Sequence, residues 1–241
     1  MKNIFLKALP LSLLLSFSIV YASISHELTI PIAEPFSQVV ISDGIDLIID
    51  HGDEQKMDIR YFNINQEDII TEVKGKKLRI YMRGCKRGCK NDIYTHADVQ
   101  VRLTYTDLDK LVVMGDNDVQ HLSNINSNTF ILKSYGDNRI SFNEIHTHKF
   151  KTSLYGDNEL QIEGGEVERL KVKAFGDHKI KLSKLACTTG KVHAFGDNNI
   201  DLQIHQQLNL TMFGNASIRC QGNPWVDKKI VLGDLSLEVH N

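Results

Sequence analysis

The chain has 241 residues, 28 basic and 30 acidic, and a formal net charge of −2. That balance gives no electrostatic case for nucleic acid or for an anionic membrane. With four prolines and no low-complexity tract, a disordered linker is not expected either.

Residues 1–22 read as a secretory signal rather than as fold. Lys2 and Lys7 form a basic start, Ala8 to Val20 is largely apolar, and Val20-Tyr21-Ala22 offers small residues for cleavage after Ala22. The apolar run is short for a membrane span, and no second such run follows. The remaining 219 residues or so (241 minus 22) suit one β-rich domain or two small ones.

Residues 36 to 113 predict a run of strands. Phe36 to Ser42, Ile45 to Asp50, Met57 to Phe62, Ile69 to Val73, Leu78 to Met82, Asp98 to Thr104 and Leu108 to Val113 are rich in branched and aromatic residues. Asn, Asp, Gly and Lys turns split them. No segment carries a sustained helical period. Four cysteines allow three pairings. Cys85 and Cys89 flank a tight loop, Lys86-Arg87-Gly88, and are the disulfide candidates. Cys187 and Cys220 lie in different repeats and can pair only if those segments touch.

The second half repeats. Met114-Gly115-Asp116-Asn117 returns as Tyr135-Gly136-Asp137-Asn138, Tyr155-Gly156-Asp157-Asn158, Phe175-Gly176-Asp177-His178 and Phe195-Gly196-Asp197-Asn198. Phe213-Gly214-Asn215 and Leu232-Gly233-Asp234 are fading copies, and the glycine steps are 21, 20, 20, 20, 18 and 19 residues. Such a period predicts a solenoid. Positions two and four before each glycine, and four and six after it, are mostly apolar, which means two half-buried strands per repeat with the glycine at the bend. The expected fold is all-β: a right-handed parallel β-helix-like solenoid with about 20-residue coils, preceded by a strand-rich N-terminal part of the same domain. The expected division is 1–22 signal, 23–107 N-terminal β-rich part and 108–241 solenoid repeats, with 36–239 continuous.

Stacked coils lie about 4.8 Å apart, so the repeat predicts parallel columns along one edge. The structural turn glycines are Gly115, Gly136, Gly156, Gly176, Gly196, Gly214 and Gly233. Asp116, Asp137, Asp157, Asp177 and Asp197 form an acidic column, and Tyr135 and Tyr155 open an aromatic one; these are the candidate binding residues. Asn117, Asn138, Asn158 and Asn198 predict an amide ladder. Trp225 is expected to cap the open end of the core beside Pro224.

These residues carry a resemblance. Phe36-Ser37-Gln38-Val39-Val40-Ile41 with Gly44 and Ile45-Asp46-Leu47-Ile48-Ile49, then Lys77-Leu78-Arg79-Ile80, then Val99-Gln100-Val101 leading into Leu111-Val112-Val113-Met114-Gly115, resemble the family named putative auto-transporter adhesin, head GIN domain. The resemblance covers roughly 36 to 238 and implies a repetitive all-β fold without catalytic residues to carry over. The family more often has Ser-Gly-Ser at the corner where this chain has Gly-Asp-Asn.

The expected function is therefore an exported, non-enzymatic binding or structural module of the bacterial cell envelope, periplasmic, secreted or at the cell surface. Partners would be a glycan or an envelope protein, with self-association open at the terminal coil and no nucleic acid. No catalytic motif is present, no metal set matches a known spacing, and no cofactor is expected. The Asp column can be simple turn chemistry, with Asp accepting backbone N–H bonds. Calcium along that column is one alternative, although calcium takes six to eight oxygens. A carbohydrate-active β-helix enzyme, lyase or hydrolase, is the other.

Overall fold

The computed structural model describes residues 25–42, 44–86, 94 and 96–240. It is all-β, one open sheet whose only helical turn is a short 3-10 segment, Gln66–Asp68, among the described residues. Seven strands precede the repeats: β1 His26–Pro31, β2 Gln38–Ile41, β3 Ile45–His51, β4 Lys56–Phe62, β5 Ile69–Lys74, β6 Lys77–Met82 and β7 Asp98–Tyr105. Then comes one unbroken run, β8 Lys110–Gln221, followed by β9 Trp225–Leu232 and β10 Leu235–His240. No helix among the described residues is long and apolar enough to cross a membrane.

A strand of 112 residues cannot be straight. Extended at about 3.3 Å per residue it would reach roughly 370 Å, yet the rings of Tyr135 and Tyr155 lie 5.1 Å apart. The chain bends back at each glycine and runs beside its previous pass. Burial then enforces the period of two. Leu111 and Val113, Leu132 and Ser134, Val172 and Ala174, Val192 and Ala194 are buried before the bend, and Ile140 and Phe142, Ile180 and Leu182, Ile200 and Leu202 after it. Three buried phenylalanines pack together in the core: Phe130 stacks on Phe150 at 5.8 Å and meets Phe142 edge-on at 5.6 Å.

The first strands belong to the same stack. β2 pairs in parallel with the start of β8 (Gln38 opposite Lys110), and β3 pairs in parallel with the segment after the first bend (Leu47 opposite Val119). β6 and β7 add one more parallel pass over β2 and β3. Beyond them the direction changes. β5 runs antiparallel to β6, β4 to β7 and β1 to β4, so this end of the stack is closed by hairpin-type pairing. β1 lies upstream of the first expected strand.

At the other end, β9 and β10 pair in parallel with residues 207–213 and 216–221. A register shift between Leu210 and Thr211 marks a bulge. Pro224 is buried but Trp225 points outward and is 63% exposed, so Trp225 does not cap the core. Pro224, just ahead of β9, takes the inward place instead.

Cys85 is disulfide-bonded; its expected partner, Cys89, lies outside the described residues, as does the signal segment 1–22. Cys187 and Cys220 are buried free thiols. Burial pushes the Cys187 thiol up to about 12, with neighbouring Cys220 adding to the shift.

Candidate functional site

The glycine corner is the most regular feature of the surface. Its glycines have φ between +95 and +124, a region that L side chains avoid. They also lie over one another. A Cβ on Gly156 would stand 2.6 Å from the carbonyl oxygen of Gly136, and one on Gly196 would stand 2.5 Å from that of Gly176. Backbone approaches backbone here, so a side chain is excluded twice, by conformation and by space.

One residue before the glycines, Tyr135, Tyr155, Phe175, Phe195 and Phe213 form a continuous stack. Ring centroids are 5.1, 5.1, 4.7 and 4.8 Å apart, and adjacent planes are within 9° of parallel. The rings are partly exposed, Tyr135 most at 38%. Each inner ring spends both faces on its neighbours, so a ligand reaches ring edges along the column. Tyr155 is one of these inner rings, and Tyr135 is the first.

One residue after the glycines, Asp116, Asp137, Asp157, Asp177 and Asp197 are all exposed. Along this column the Asp197 backbone N–H donates to Asp177 Oδ1 at 3.2 Å, and Asn215 Nδ2 donates to Asp197 Oδ1 at 2.9 Å. The column therefore combines turn chemistry with open carboxylate edges. Upstream, Asp46 is drawn inward. Burial raises its carboxyl above the usual range, aided by Asp118, Asp98 and Asp116 and opposed by the Asp118 N–H it accepts at 3.0 Å.

Two residues after the glycines, the asparagines turn inward and bond along the stack. Asn117 Nδ2 donates to Asn138 Oδ1 at 2.8 Å, and Asn138 Nδ2 donates to Asn158 Oδ1 at 3.3 Å. Each also holds its own bend, donating to the carbonyl three residues earlier: Met114, Tyr135 and Tyr155, at 3.0 to 3.1 Å. At the top, Ile45 N–H donates to Asn117 Oδ1 at 3.1 Å. The ladder stops at His178. Nε2 of His178 and both side-chain polar atoms of Asn198 are buried without a hydrogen-bond partner.

Past the corner, the outer face is neutralised by pairs. Arg139 meets Asp118 at 2.9 Å, Lys181 meets Glu159 at 2.7 Å, and Arg219 meets Asp201 at 2.6 Å. Glu159 is held below the usual carboxylate range by Lys181. A separate cleft of about 630 Å³ is lined by His146, His148, Glu166, Glu168 and His205 among others. In it His148 Nδ1 lies 3.1 Å from Glu168, and beside it His146 Nε2 lies 2.9 Å from Glu144. His146 meets Glu144 two residues away along the chain, whereas His148 meets Glu168 twenty residues on, across adjacent passes. Among the described residues no group of three or more His, Cys, Asp or Glu side chains is placed to hold a metal ion.

A third feature lies inside the core. His121 Nε2 is 2.8 Å from the Tyr105 hydroxyl, and its Nδ1 is 2.9 Å from the Ser123 carbonyl oxygen. The neutral ring fits this pair: Nδ1–H donates to Ser123 and Nε2 accepts from Tyr105. Burial lowers His121 to about 4 and raises Tyr105 to about 12.

Taken together, the fold and its corner define a stacked all-β protein with side-chain ladders along one edge and no metal centre among the described residues. The chain belongs to the family described as putative auto-transporter adhesin, head GIN domain, whose model matches residues 35–224. Solved structures share the fold. A protein from Parabacteroides merdae titled a putative adhesin is 15% identical with a TM-score of 0.69, covering 90% of this chain and 96% of its own. A putative adhesin from Bacteroides fragilis is 13% identical with a TM-score of 0.67, covering 89% and 96%. One from Parabacteroides distasonis titled a putative lipid binding protein is 15% identical with a TM-score of 0.63, covering 90% and 97%. No curated protein matches the chain.

Proposed function

We propose that the chain is an exported, non-enzymatic, adhesin-like binding module of the bacterial cell envelope, in the periplasm or at the cell surface. We further propose that it winds as a right-handed parallel β-helix with coils of about 20 residues, spanning 36–239 after cleavage at Ala22. The observation that carries the reading is the unbroken file of side chains at the glycine corner, from Tyr135 to Phe213. An enzyme concentrates its chemistry at one point and needs a local departure from regularity there. This edge repeats one exposed carboxylate per coil, with nothing to single out a reacting pair.

The edge suits recognition by repetition. Asp137, Asp157 and Asp177 present carboxylates at coil spacing, and the stacked rings beneath hold that spacing rigid. Because inner ring faces are covered, a sugar ring has no platform on Tyr155, and a protein partner bearing basic side chains fits the edge better than a neutral glycan. The test is a pull-down from envelope extract beside a glycan array, with wild type and with Asp137, Asp157 and Asp177 all changed to Asn. Retention of a defined partner by wild type and its loss in the variant is expected. Blank results in both assays at high protein concentration would overturn the reading.

A second reading, a carbohydrate-active enzyme, is favoured by the cleft that carries the His148–Glu168 pair. Release of sugars from a polysaccharide panel, abolished by Glu168→Gln, would support it over the first.

A further inference from the structure

The net charge of −2 conceals a separation of sign. The strands that lead into the glycines carry their lysines in columns. Lys110, Lys151, Lys171 and Lys191 occupy the place five before a glycine, and Lys133 and Lys173 the place three before. The register places them together. Ile131 N–H donates to Asp109 O, setting that pass beside Lys110. The ring stack from Tyr135 to Phe195 then aligns residues 131, 151, 171 and 191 on consecutive passes. Above them, Lys77 and Lys110 both lie opposite Gln38. Flanking residues Leu132, Thr152, Val172 and Val192 are buried, so the lysines face outward.

From Lys77 to Lys191 is six passes, or about 29 Å at strand spacing. Between Lys110 and Thr211 neither column holds a carboxylate. No ion pair to an acid forms on these lysines among the described residues, in contrast to the paired lysines Lys179 and Lys181 on the neighbouring face. Their mutual proximity registers in the titration of the group: after burial, Lys173, Lys191 and Lys151 lower Lys171, and Lys133 and Lys77 lower Lys110.

We infer that this lysine face is a docking surface for an anionic lipid bilayer. Three features select that partner. The face is the outer side of stacked strands, and the clefts beside His148 and beside Asn198 are lined by other residues, which matches a planar target rather than a threaded chain. Its cations are lysines, which act as unoriented point charges, whereas bidentate phosphate recognition favours arginine. The aromatics beside these lysines along β8, Tyr155, Phe175 and Phe195, have their faces stacked on one another, which removes there the base-stacking platform that single-stranded nucleic acid requires. This inference does not depend on the corner-mediated binding proposed above; the two surfaces lie on either side of the aromatic column.

Vesicle co-sedimentation tests it, with phosphatidylcholine vesicles containing or lacking phosphatidylglycerol, at low and high salt. Wild type should sediment only with the anionic vesicles and be released by salt. Changing Lys151, Lys171 and Lys191 to Gln should weaken partitioning on the order of a hundredfold, since each lysine near such a surface accounts for about fivefold. The same charge change at Lys56, Lys184 and Lys229, each already paired to an acid, should leave most of the binding intact. Unchanged thermal unfolding of the first variant keeps the comparison valid; if it melts lower, Lys171→Gln alone replaces it. Absence of wild-type binding to anionic vesicles would overturn the inference. So would equal losses in both triple variants, or capture by an acidic polysaccharide resin without vesicle binding.

Discussion

Asn158 donates its backbone N–H to Nδ1 of His178 at 3.3 Å, at the point where the amide ladder above it ends. Asn117 and Asn138 pass their side-chain amides downward, but an imidazole has one donor and one acceptor where an amide has two of each. Below it Asn198 is buried with neither side-chain polar atom bonded. A buried unsatisfied polar group costs about 1–3 kcal/mol. Changing His178 to Asn should therefore restore the ladder from Asn158 to Asn198 and stabilise the protein by about 1–2 kcal/mol. Thermal unfolding should rise by several degrees; a lower melting temperature would show that the imidazole is better accommodated than its bonds suggest.

The glycine corner predicts a sharper loss. Gly156 has φ +95 and faces the Gly136 carbonyl so closely that no Cβ fits. Gly75 also has positive φ, +61, but nothing lies within 4 Å of a Cβ placed there. Gly156→Ala should destabilise by several kcal/mol, and Gly75→Ala by about 1 kcal/mol, the conformational cost alone. Chemical denaturation of the two variants side by side separates spatial exclusion from backbone preference. Equal losses would mean that conformation alone requires glycine at the corner.

Much of the architecture is readable from the chain because burial imposes simple rules on it. Val172 and Ala174 alternate with lysines since one face of a strand meets the core, and β2, β3, β4, β6 and β7 show the same alternation. What the chain hides is what depends on pairing across it. In the antiparallel closure β4 alternates just as the parallel strands do, since both kinds of pairing bury one face. β1 is barely buried and carries little apolar signal. Trp225 shows the limit of reading size as burial: its neighbour Pro224 takes the inward place. The lysine face vanishes in a net charge because the carboxylates that balance it stand on another face. The His148–Glu168 pair joins residues 20 apart, which become neighbours only when the passes stack.

Inside and outside can be tested by charge at two neighbouring coils. Ile180 is fully buried, whereas Asp157 is exposed at the corner. An unpaired carboxylate at Ile180 loses its hydration and has no cation to meet, a cost of several kcal/mol. Ile180→Asp should unfold the surrounding coils and admit protease, while Asp157→Asn should change stability by no more than about 0.5 kcal/mol. A protease-resistant Ile180→Asp protein would reverse the assignment of faces.

The Tyr105–His121 pair predicts how stability follows acid. His121 is lowered from 6.5 to about 4 by burial. Above pH 6.5 the ring is neutral in folded and unfolded chains alike, and pH has no effect through it. Between pH 6.5 and about 4 the unfolded chain takes up a proton that the folded one refuses. Stability therefore falls as pH falls, reaching a loss of about 3 kcal/mol near pH 4, since each pH unit across this window is worth about 1.4 kcal/mol. His178, also lowered by burial, acts in the same direction, and carboxylates such as Glu159 held low by lysines add their own loss below that range. The contribution of His121 is isolated by His121→Gln, which can still accept from Tyr105. Denaturation midpoints measured from pH 7.5 down to pH 4.5 should drop less steeply in the variant than in wild type, with the gap opening only below pH 6.5. Parallel curves would mean that His121 takes up its proton inside the fold, and that the Tyr105 hydroxyl does not donate to a neutral ring.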